Sequence, residues 1–297
     1  MMSNKNFSSN KQKIAIEVFG QNNVKNFKKT VIHILLILGA IAMTLPFIYM
    51  TSIAFKNNIF GFEYPPKIIF NNPTWQNFVK AWTSANFSTF FSNSLFIAST
   101  SMLLTLSVSS MMAFAFGRLK FPGKEIYFII LLSTMMIPGM LFIIPQFILI
   151  QKLGLYDTRM GLILIYAAGS IPFNTFLLRA FFETIPREME DAARIDGANL
   201  WQIFYRICLP MVKPGLATVA IFSFLGGWDE FILALTFIDT PAKRTLPIAI
   251  MLFQGQHTTD WSLTFAACLF AIVPVLLIFI FFQKYFVKGL SSGAVKG

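Results

Sequence analysis

Charge is scarce in this sequence. Asp, Glu, Lys and Arg together make up 12% of its 297 residues, whereas hydrophobic residues make up 56%. A soluble domain carries about twice that charged fraction, so the composition predicts an integral membrane protein. The formal net charge of +11 would suit a nucleic-acid partner. The basic residues lie between long apolar runs, however, and there they set the orientation of a membrane protein instead.

Cysteine and histidine are scarce too, with two of each. Cys208 and Cys268 form no disulfide framework and no metal-ligand spacing, which leaves them as packing residues. His33 and His257 stand in no credible Ser/His/Asp arrangement. We therefore predict neither a catalytic site nor a metal site in this chain.

A phosphate-binding loop is also missing from the sequence. The pair Gly123–Lys124 is followed by Glu125, where a P-loop needs Ser or Thr, and Arg118 occupies the position of the first loop glycine. The chain is therefore not expected to hydrolyse ATP.

Long apolar runs are the main feature that the sequence does have, and six of them suit a bilayer crossing of about 20 residues. They are Val31–Phe55, Ser92–Phe116, Ile126–Ile150, Met160–Leu178, Pro214–Phe237 and Trp261–Phe282. Because backbone polar groups in lipid must be satisfied within each segment, we predict an all-α membrane protein with about six transmembrane helices. Pro138 and Pro145 are expected to kink the third span. Two long connections, with the stretches "YPPKIIF" and "LPIAIMLF", suit short interfacial helices.

The basic residues orient these spans. Lys and Arg are concentrated before the first span, after the second, after the fourth and after the last, and this excess marks the cytoplasmic side. We predict a cytoplasmic N-terminal tail over residues 1–30, a six-span domain over 31–287 and a cytoplasmic C-terminal tail over 288–297.

One charged connection, residues 186–213, stands out between the fourth and fifth spans. Pro186 fits the first turn of a helix, and Gly197 fits the left-handed residue that ends it. Asn199 and Gln202 have the spacing of a capping box for a second helix. The segment is thus a helix–turn–helix. It is either a docking element or a solvated loop, and spans on both sides argue against DNA binding.

The residues then show a family resemblance. The stretch "EMEDAARIDGANLWQIFYRICLPMVKPGL" resembles the signature loop of permease subunits in binding-protein-dependent ABC importers. "NSLFIASTSMLLTLSVSSMMAFAFGRLKFPGK", "IPFNTFLLRAFFETIPREMEDAARIDGA", "GGWDEFILAL" and "QKYFVKGLSSGAVKG" resemble other parts of the carbohydrate branch, in particular the smaller maltose-type subunits. The matches run through most of the chain in the family's order. The type I permease architecture is the fold that this resemblance implies.

The resemblance implies a coupling helix that docks on an ATP-hydrolysing subunit. The docking residues would be Glu188, Asp191, Ala192, Ala193, Asp196, Gly197, Leu200 and Phe204, the last two forming a supporting face. The tail residues Gly293, Lys296 and Gly297 would reach toward the ATPase interface. Asp191 stands where the family has Glu, which keeps the charge and shortens its reach.

The implied assembly holds a second homologous permease chain, a dimer of ATPase subunits that carries ATP and Mg²⁺, and an extracellular or periplasmic solute-binding protein. The branch that the chain resembles implies a sugar substrate, in particular an oligosaccharide, imported across a bacterial plasma membrane. Three alternatives stay open: a permease for a non-sugar solute such as a polyamine or amino acid, a stand-alone secondary transporter or channel, and a membrane scaffold.

The fifth span contains the candidate pathway residues Trp228, Asp229 and Glu230. Ionisable groups at membrane depth face a cavity, a partner or each other, and an indole face suits a sugar ring. These residues either face the sugar or form a structural polar cluster at the interface with the second permease chain. Asn174 and Gln146 are weaker candidates, better interpreted as hydrogen-bond partners between helices.

Overall fold

The computed structural model describes the backbone of residues 3–57, 73–84, 86–254 and 259–294, and the side chains of 27–57, 73–84, 86–254 and 259–283. Regular structure in these residues is helical, apart from one isolated bridge between Gln254 and Thr259. The helices are α1 (Ser3–Ala54), α2 (Gln76–Thr83), α3 (Phe87–Arg118), α4 (Lys124–Ser133), α5 (Ile143–Lys152), α6 (Arg159–Glu183), α7 (Arg187–Ile195), α8 (Leu200–Gln202), α9 (Leu209–Met211), α10 (Lys213–Trp228), α11 (Ile232–Phe237), α12 (Leu246–Leu252) and α13 (Trp261–Ala294). A π-helical stretch, Ile203–Cys208, joins α8 to α9.

Four stretches of these helices are long and apolar enough to cross a membrane: Phe27–Ala54, Phe87–Arg118, Arg159–Glu183 and Trp261–Gln283. Two bent helix pairs raise the number to six if each pair is one span. The first pair is Lys124–Met136 with Gly139–Lys152, and the second is Leu200–Met211 with Lys213–Trp228. The prediction of an all-α membrane protein is confirmed. The stretch "LPIAIMLF" forms α12, as expected of a short helix, whereas "YPPKIIF" lies outside the described residues.

The third predicted span is broken rather than gently kinked. Its two halves, Lys124–Met136 and Gly139–Lys152, meet at 96°. Pro138 lies at the break, as predicted. Pro145 does not kink the chain, because it lies in the first turn of α5, where its missing N–H is not needed.

The fifth predicted span is interrupted as well. Helix α10 ends at Trp228, and α11 starts at Ile232. The cause is Glu230, whose carboxylate accepts hydrogen bonds from the backbone N–H groups of Leu233 and Ala234 at 2.8 and 2.9 Å. These bonds cap a new helix instead of continuing the old one.

Helix α3 lies at the centre of the bundle and packs against α6 and α10. Small residues allow the close approach: a Cβ on Gly227 of α10 would lie 3.2 Å from Ser101 Oγ and 3.4 Å from the Cα of Ala98, both on α3. The C-terminal ends of α3 and α6 converge on α7, and this convergence positions the charged connection.

Candidate functional site

The charged connection is a helical hairpin, as its sequence predicts. Helix α7 starts at Arg187, and Pro186 is its N-cap, with an extended ψ of 134°, rather than a residue of the first turn. Gly197 adopts a φ of +81°. Its N–H donates to the carbonyl of Arg194, and the N–H of Ala198 donates to the carbonyl of Ala193 at 2.9 Å. This pair of bonds is a Schellman motif, which ends the helix in a fixed direction.

The second helix of the hairpin starts with the predicted capping box. The N–H of Gln202 donates to the side-chain oxygen of Asn199 at 2.9 Å, and the N–H of Asn199 donates to the side-chain oxygen of Gln202 at 2.8 Å. Local backbone chemistry therefore sets both sides of the turn.

The hairpin presents one exposed surface, which we call the docking surface. Its members are Glu188, Asp191, Ala192, Asp196, Gly197 and Leu200. Two other predicted docking residues, Ala193 and Phe204, are buried in this chain. Phe204 packs against the rings of Phe114 and Phe182, so it supports the docking surface from below.

A shallow cleft of about 440 Å³ runs beside this surface. Its lining residues are Glu188, Met189, Ala192, Ala193, Asp196 and Ile207. The exposed acids of this cleft suit a protein partner of complementary charge.

Glu190 is a residue of this site that the sequence did not reveal. Its side chain is 8% exposed and forms a buried ion pair with Arg118, the last residue of α3. Cys208 donates from its thiol to the same carboxylate at 3.6 Å. Burial, together with the Glu190 charge, raises the pKa of Cys208 to about 12, so the thiol stays protonated. Glu190 and Ala193 are three residues apart and share the buried face of α7, and this spacing is the signal that could have identified Glu190.

The candidate pathway residues do not all lie in one site: Trp228 and Asp229 line one cleft, whereas Glu230 lines another. Trp228 is 2% exposed, its indole N–H donates to the carbonyl of Ala271 at 3.1 Å, and its ring stacks on Phe224. The indole is thus packed inside this chain, between α10 and α13, and a role of Trp228 in the passage stays a prediction. Asn174 is likewise buried and donates to Ser223 Oγ at 2.9 Å, which joins α6 to α10.

Glu230 has structural hydrogen-bond partners and also faces a cavity. Besides capping α11, it accepts a hydrogen bond from Tyr166 Oη at 2.9 Å. It also lines a cavity of about 810 Å³ at the break in the third span. Gln146 lines the same cavity, and its buried Oε1 has no hydrogen-bond partner among the described residues. Asp229 is exposed and lines a different cleft, of about 370 Å³.

A polar cluster around Asp157 lies at the start of α6, at the end of this helix that is far from α7. Asp157, with a φ of +53°, accepts hydrogen bonds from the backbone N–H groups of Asp239 and Thr240 and from the Thr240 hydroxyl, and it forms an ion pair with Lys243 at 3.0 Å. The Thr240 hydroxyl and these other donors hold the pKa of Asp157 well below its usual range. The cluster fastens the segment that follows α11 to the start of α6.

The predicted tail contacts fall at the end of the chain. Gly293 lies in the last turn of α13, whereas Lys296 and Gly297 lie outside the described residues.

Residues 106–292 match the family described as "Binding-protein-dependent transport system inner membrane component". The chain is 34% identical to the diacetylchitobiose uptake system permease protein NgcG of Streptomyces coelicolor, over 89% of this chain and 88% of that protein. It is also 34% identical to the trehalose/maltose transport system permease protein MalG of Thermococcus litoralis, over 89% and 97% of the two chains. Among solved structures, a chain of a bacterial ABC transporter that imports the acidic polysaccharide alginate superimposes with a TM-score of 0.75. That chain shares 24% identity, and the match covers 88% of the present chain and 97% of the other. The fold is thus that of an ABC importer permease.

Proposed function

The chain belongs to the family of binding-protein-dependent transport system inner membrane components, and from this premise we propose that it forms half of the passage of an ATP-driven importer for a sugar, in particular an oligosaccharide. The observation that carries the proposal is the docking surface, an exposed, rigidly capped hairpin that joins α6 to α10. Membership of the family makes the chain a multi-pass membrane component of a transport system. The second permease chain, the ATPase subunits and the solute-binding protein are partners that we propose.

The docking surface is the contact for an ATPase subunit. The acids Glu188, Asp191 and Asp196 are exposed on it, so the partner's cleft should offer hydrogen-bond donors or positive charge. Because the Schellman motif and the capping box fix the turn, a push on the hairpin moves it as a unit. The spans then rock as rigid bodies, which opens the passage alternately to the two sides of the membrane.

The hairpin lies on the side where basic residues are concentrated, and this distribution supports a cytoplasmic location for the hairpin and for both termini. A second permease chain completes the passage, and paired ATPase subunits bind ATP and Mg²⁺. An extracellular or periplasmic solute-binding protein delivers the substrate. The proposal of a sugar substrate is supported by the two relatives, whose names specify diacetylchitobiose, trehalose and maltose transport.

The proposal is tested by affinity purification of the tagged chain in mild detergent, followed by mass spectrometry of the proteins that accompany it. The wild type should bring down an ATPase subunit and a second multispan chain. Gly197→Pro should lose the ATPase subunit and keep the multispan chain, because proline cannot adopt the φ of +81° found there.

Gly197→Asn is the matched control, since asparagine tolerates the left-handed region, and it should retain both partners. A wild type that purifies alone, or a proline variant that keeps the ATPase subunit undiminished, would contradict the docking role. The stand-alone transporter would then be the better description. A binding protein that prefers an amino acid or a polyamine would instead favour the non-sugar alternative.

A further inference from the structure

The end of helix α3 is attached to the docking hairpin by one buried guanidinium. Nε of Arg118 donates to Oε1 of Glu190 on α7, and Nη1 of the same side chain donates to the carbonyls of Phe182 and Ile185 at 3.3 and 2.9 Å. Phe182 lies in the last turn of α6, and Ile185 lies between α6 and α7. A single side chain therefore holds together the ends of α3 and α6 and the start of the hairpin.

Glu190 extends this connection to the other half of the hairpin. Its Oε1 also accepts the hydrogen bond from the Cys208 thiol. Cys208 is followed by α9 and then, after Val212, by α10. Helix α3 thus contacts this carboxylate directly, α6 connects to it through Arg118, and α10 connects to it along the chain from Cys208.

The pair is deeply buried, and this burial decides how it behaves. The Arg118 and Glu190 side chains are 4% and 8% exposed, and apolar residues of α3, α6 and the hairpin enclose them. If the two charges separated and no water entered, each would be left unpaired in an interior of low dielectric constant, which is strongly unfavourable. Helix α7 therefore cannot slide along α3 while the pair is intact, and it moves together with the helices to which it is attached.

Two neighbouring acids on α7 have different surroundings. Asp191 is exposed on the docking surface, whereas Glu190 is buried and out of reach of any partner. Glu190 can therefore act only through the helices that it joins.

We propose that Arg118 and Glu190 are positioning residues that transmit the movement of the docked hairpin to α3, α6 and α10. The inference rests on the proposed function, because it assumes that an ATPase subunit occupies the docking surface. It predicts that docking and transmission can be separated by mutation at adjacent positions. Asp191→Asn should weaken the attachment of the ATPase subunit. Glu190→Gln should preserve attachment and disrupt transmission, because the amide keeps the shape of the side chain and removes its charge.

The test uses the complete complex, purified from cells and reconstituted in proteoliposomes. It is supplied with its solute-binding protein, which is purified with the ligand that it carries from the cell. Two quantities are measured: the amount of ATPase subunit retained, and the stimulation of ATP hydrolysis by the binding protein. Stimulation must travel from the outer face to the ATPase subunits through the spans, so a purely structural role would not alter it. We expect Glu190→Gln to retain the ATPase subunit. Its stimulation of ATP hydrolysis by the binding protein should be reduced about fivefold or more, which is the lower end of ordinary allosteric coupling.

Glu125→Gln is the matched control. Glu125 also pairs with an arginine, Arg179, in a two-bonded arrangement at 3.0 and 3.1 Å, and this pair joins α4 to α6 without touching α7. Stimulation in this variant should equal that of the wild type. Unchanged stimulation in Glu190→Gln would overturn the proposal.

If Glu190→Gln is not recovered in the membrane, Glu190→Asp replaces it, since it keeps the charge and shortens its reach. This variant should also retain the ATPase subunit with reduced stimulation, and full stimulation would overturn the proposal. A wild-type chain that holds no ATPase subunit would contradict the proposed function itself, before any variant is compared.

Discussion

Tyr166 on α6 donates a hydrogen bond from its hydroxyl to the carboxylate of Glu230, at 2.9 Å. This contact joins the middle of the bundle to the break between α10 and α11. It gives an acidic residue at membrane depth a structural partner. The same carboxylate lines the large cavity, so the contribution of Glu230 to stability can be compared with its contribution to transport.

We expect Glu230→Ala to destabilise the chain, because it removes the cap of α11 and leaves the Tyr166 hydroxyl unpaired. Loss of a helix cap costs about 0.5–2 kcal/mol, and a lost hydrogen bond adds roughly 1 kcal/mol. Glu230→Gln keeps one acceptor oxygen, which can serve Tyr166 and Ala234 but not Leu233 as well, so it should be destabilised less than Glu230→Ala. Thermal unfolding of the purified chain in detergent measures both. If Glu230→Ala unfolds like the wild type while transport fails, the principal role of Glu230 lies in the passage.

A second prediction concerns the packing of α10 on α6. A Cβ on Gly215 would lie 2.6 Å from the Phe181 ring, whereas a Cβ on Gly226 would meet nothing within 4 Å. Gly215→Ala should therefore cost about 1–3 kcal/mol, the usual result of overpacking. Gly226→Ala on the same helix is the matched control and should be neutral or slightly stabilising, since alanine favours helix. Equal thermal stability of the two variants would show that the α6–α10 contact is looser than described.

The charge of Asp157 provides a prediction about pH. Because its pKa is depressed in the folded protein, its charged form stabilises the fold at neutral pH. That contribution is complete above the ordinary aspartate pKa of about 3.9 and is lost as the pH falls toward the lower, folded value. Asp157→Asn is the suitable variant, because asparagine also tolerates the φ of +53°.

We expect Asp157→Asn to lower the unfolding temperature at pH 7 by about 2–4 °C, the shift that accompanies roughly 1 kcal/mol in a chain of this size. The difference from the wild type should stay constant between pH 8 and about pH 5 and shrink below pH 4. Thermal unfolding over this pH range provides the measurement. A difference that grows on acidification would assign the stabilisation to another group.

Features that depend on neighbouring residues were predictable from the sequence. The cap at Asn199 and the turn at Gly197 follow from side-chain and backbone chemistry within a few residues, and the structure contains both. The helical class also followed directly, since the apolar runs have the length of membrane spans. The break at Pro138 was anticipated in place but not in size, because the 96° bend depends on two turns of 3₁₀-helix around it.

Features that depend on distant residues were not predictable. Arg118 and Glu190 are 72 residues apart, and no local signal pairs them. The sequence left Trp228 open between a sugar-facing and a structural role, and its contacts with Phe91 and the carbonyl of Ala271 come from helices distant along the chain. The break after Trp228 was missed because apolar residues continue on both sides of Asp229 and Glu230, and the hydrogen bonds by which Glu230 starts α11 appear only in the folded chain. These contacts arise only when the helices pack.

Uptake into proteoliposomes tests directly whether this chain forms the passage of an ATP-driven sugar importer. The complete complex is reconstituted, with the binding protein outside and ATP with Mg²⁺ supplied to the ATPase subunits. Uptake of radiolabelled maltose, trehalose and diacetylchitobiose is then measured. We predict that at least one sugar accumulates, that accumulation requires both ATP and the binding protein, and that Gly197→Pro abolishes it. Accumulation driven by an ion gradient without ATP, or unchanged in the proline variant, would contradict the account.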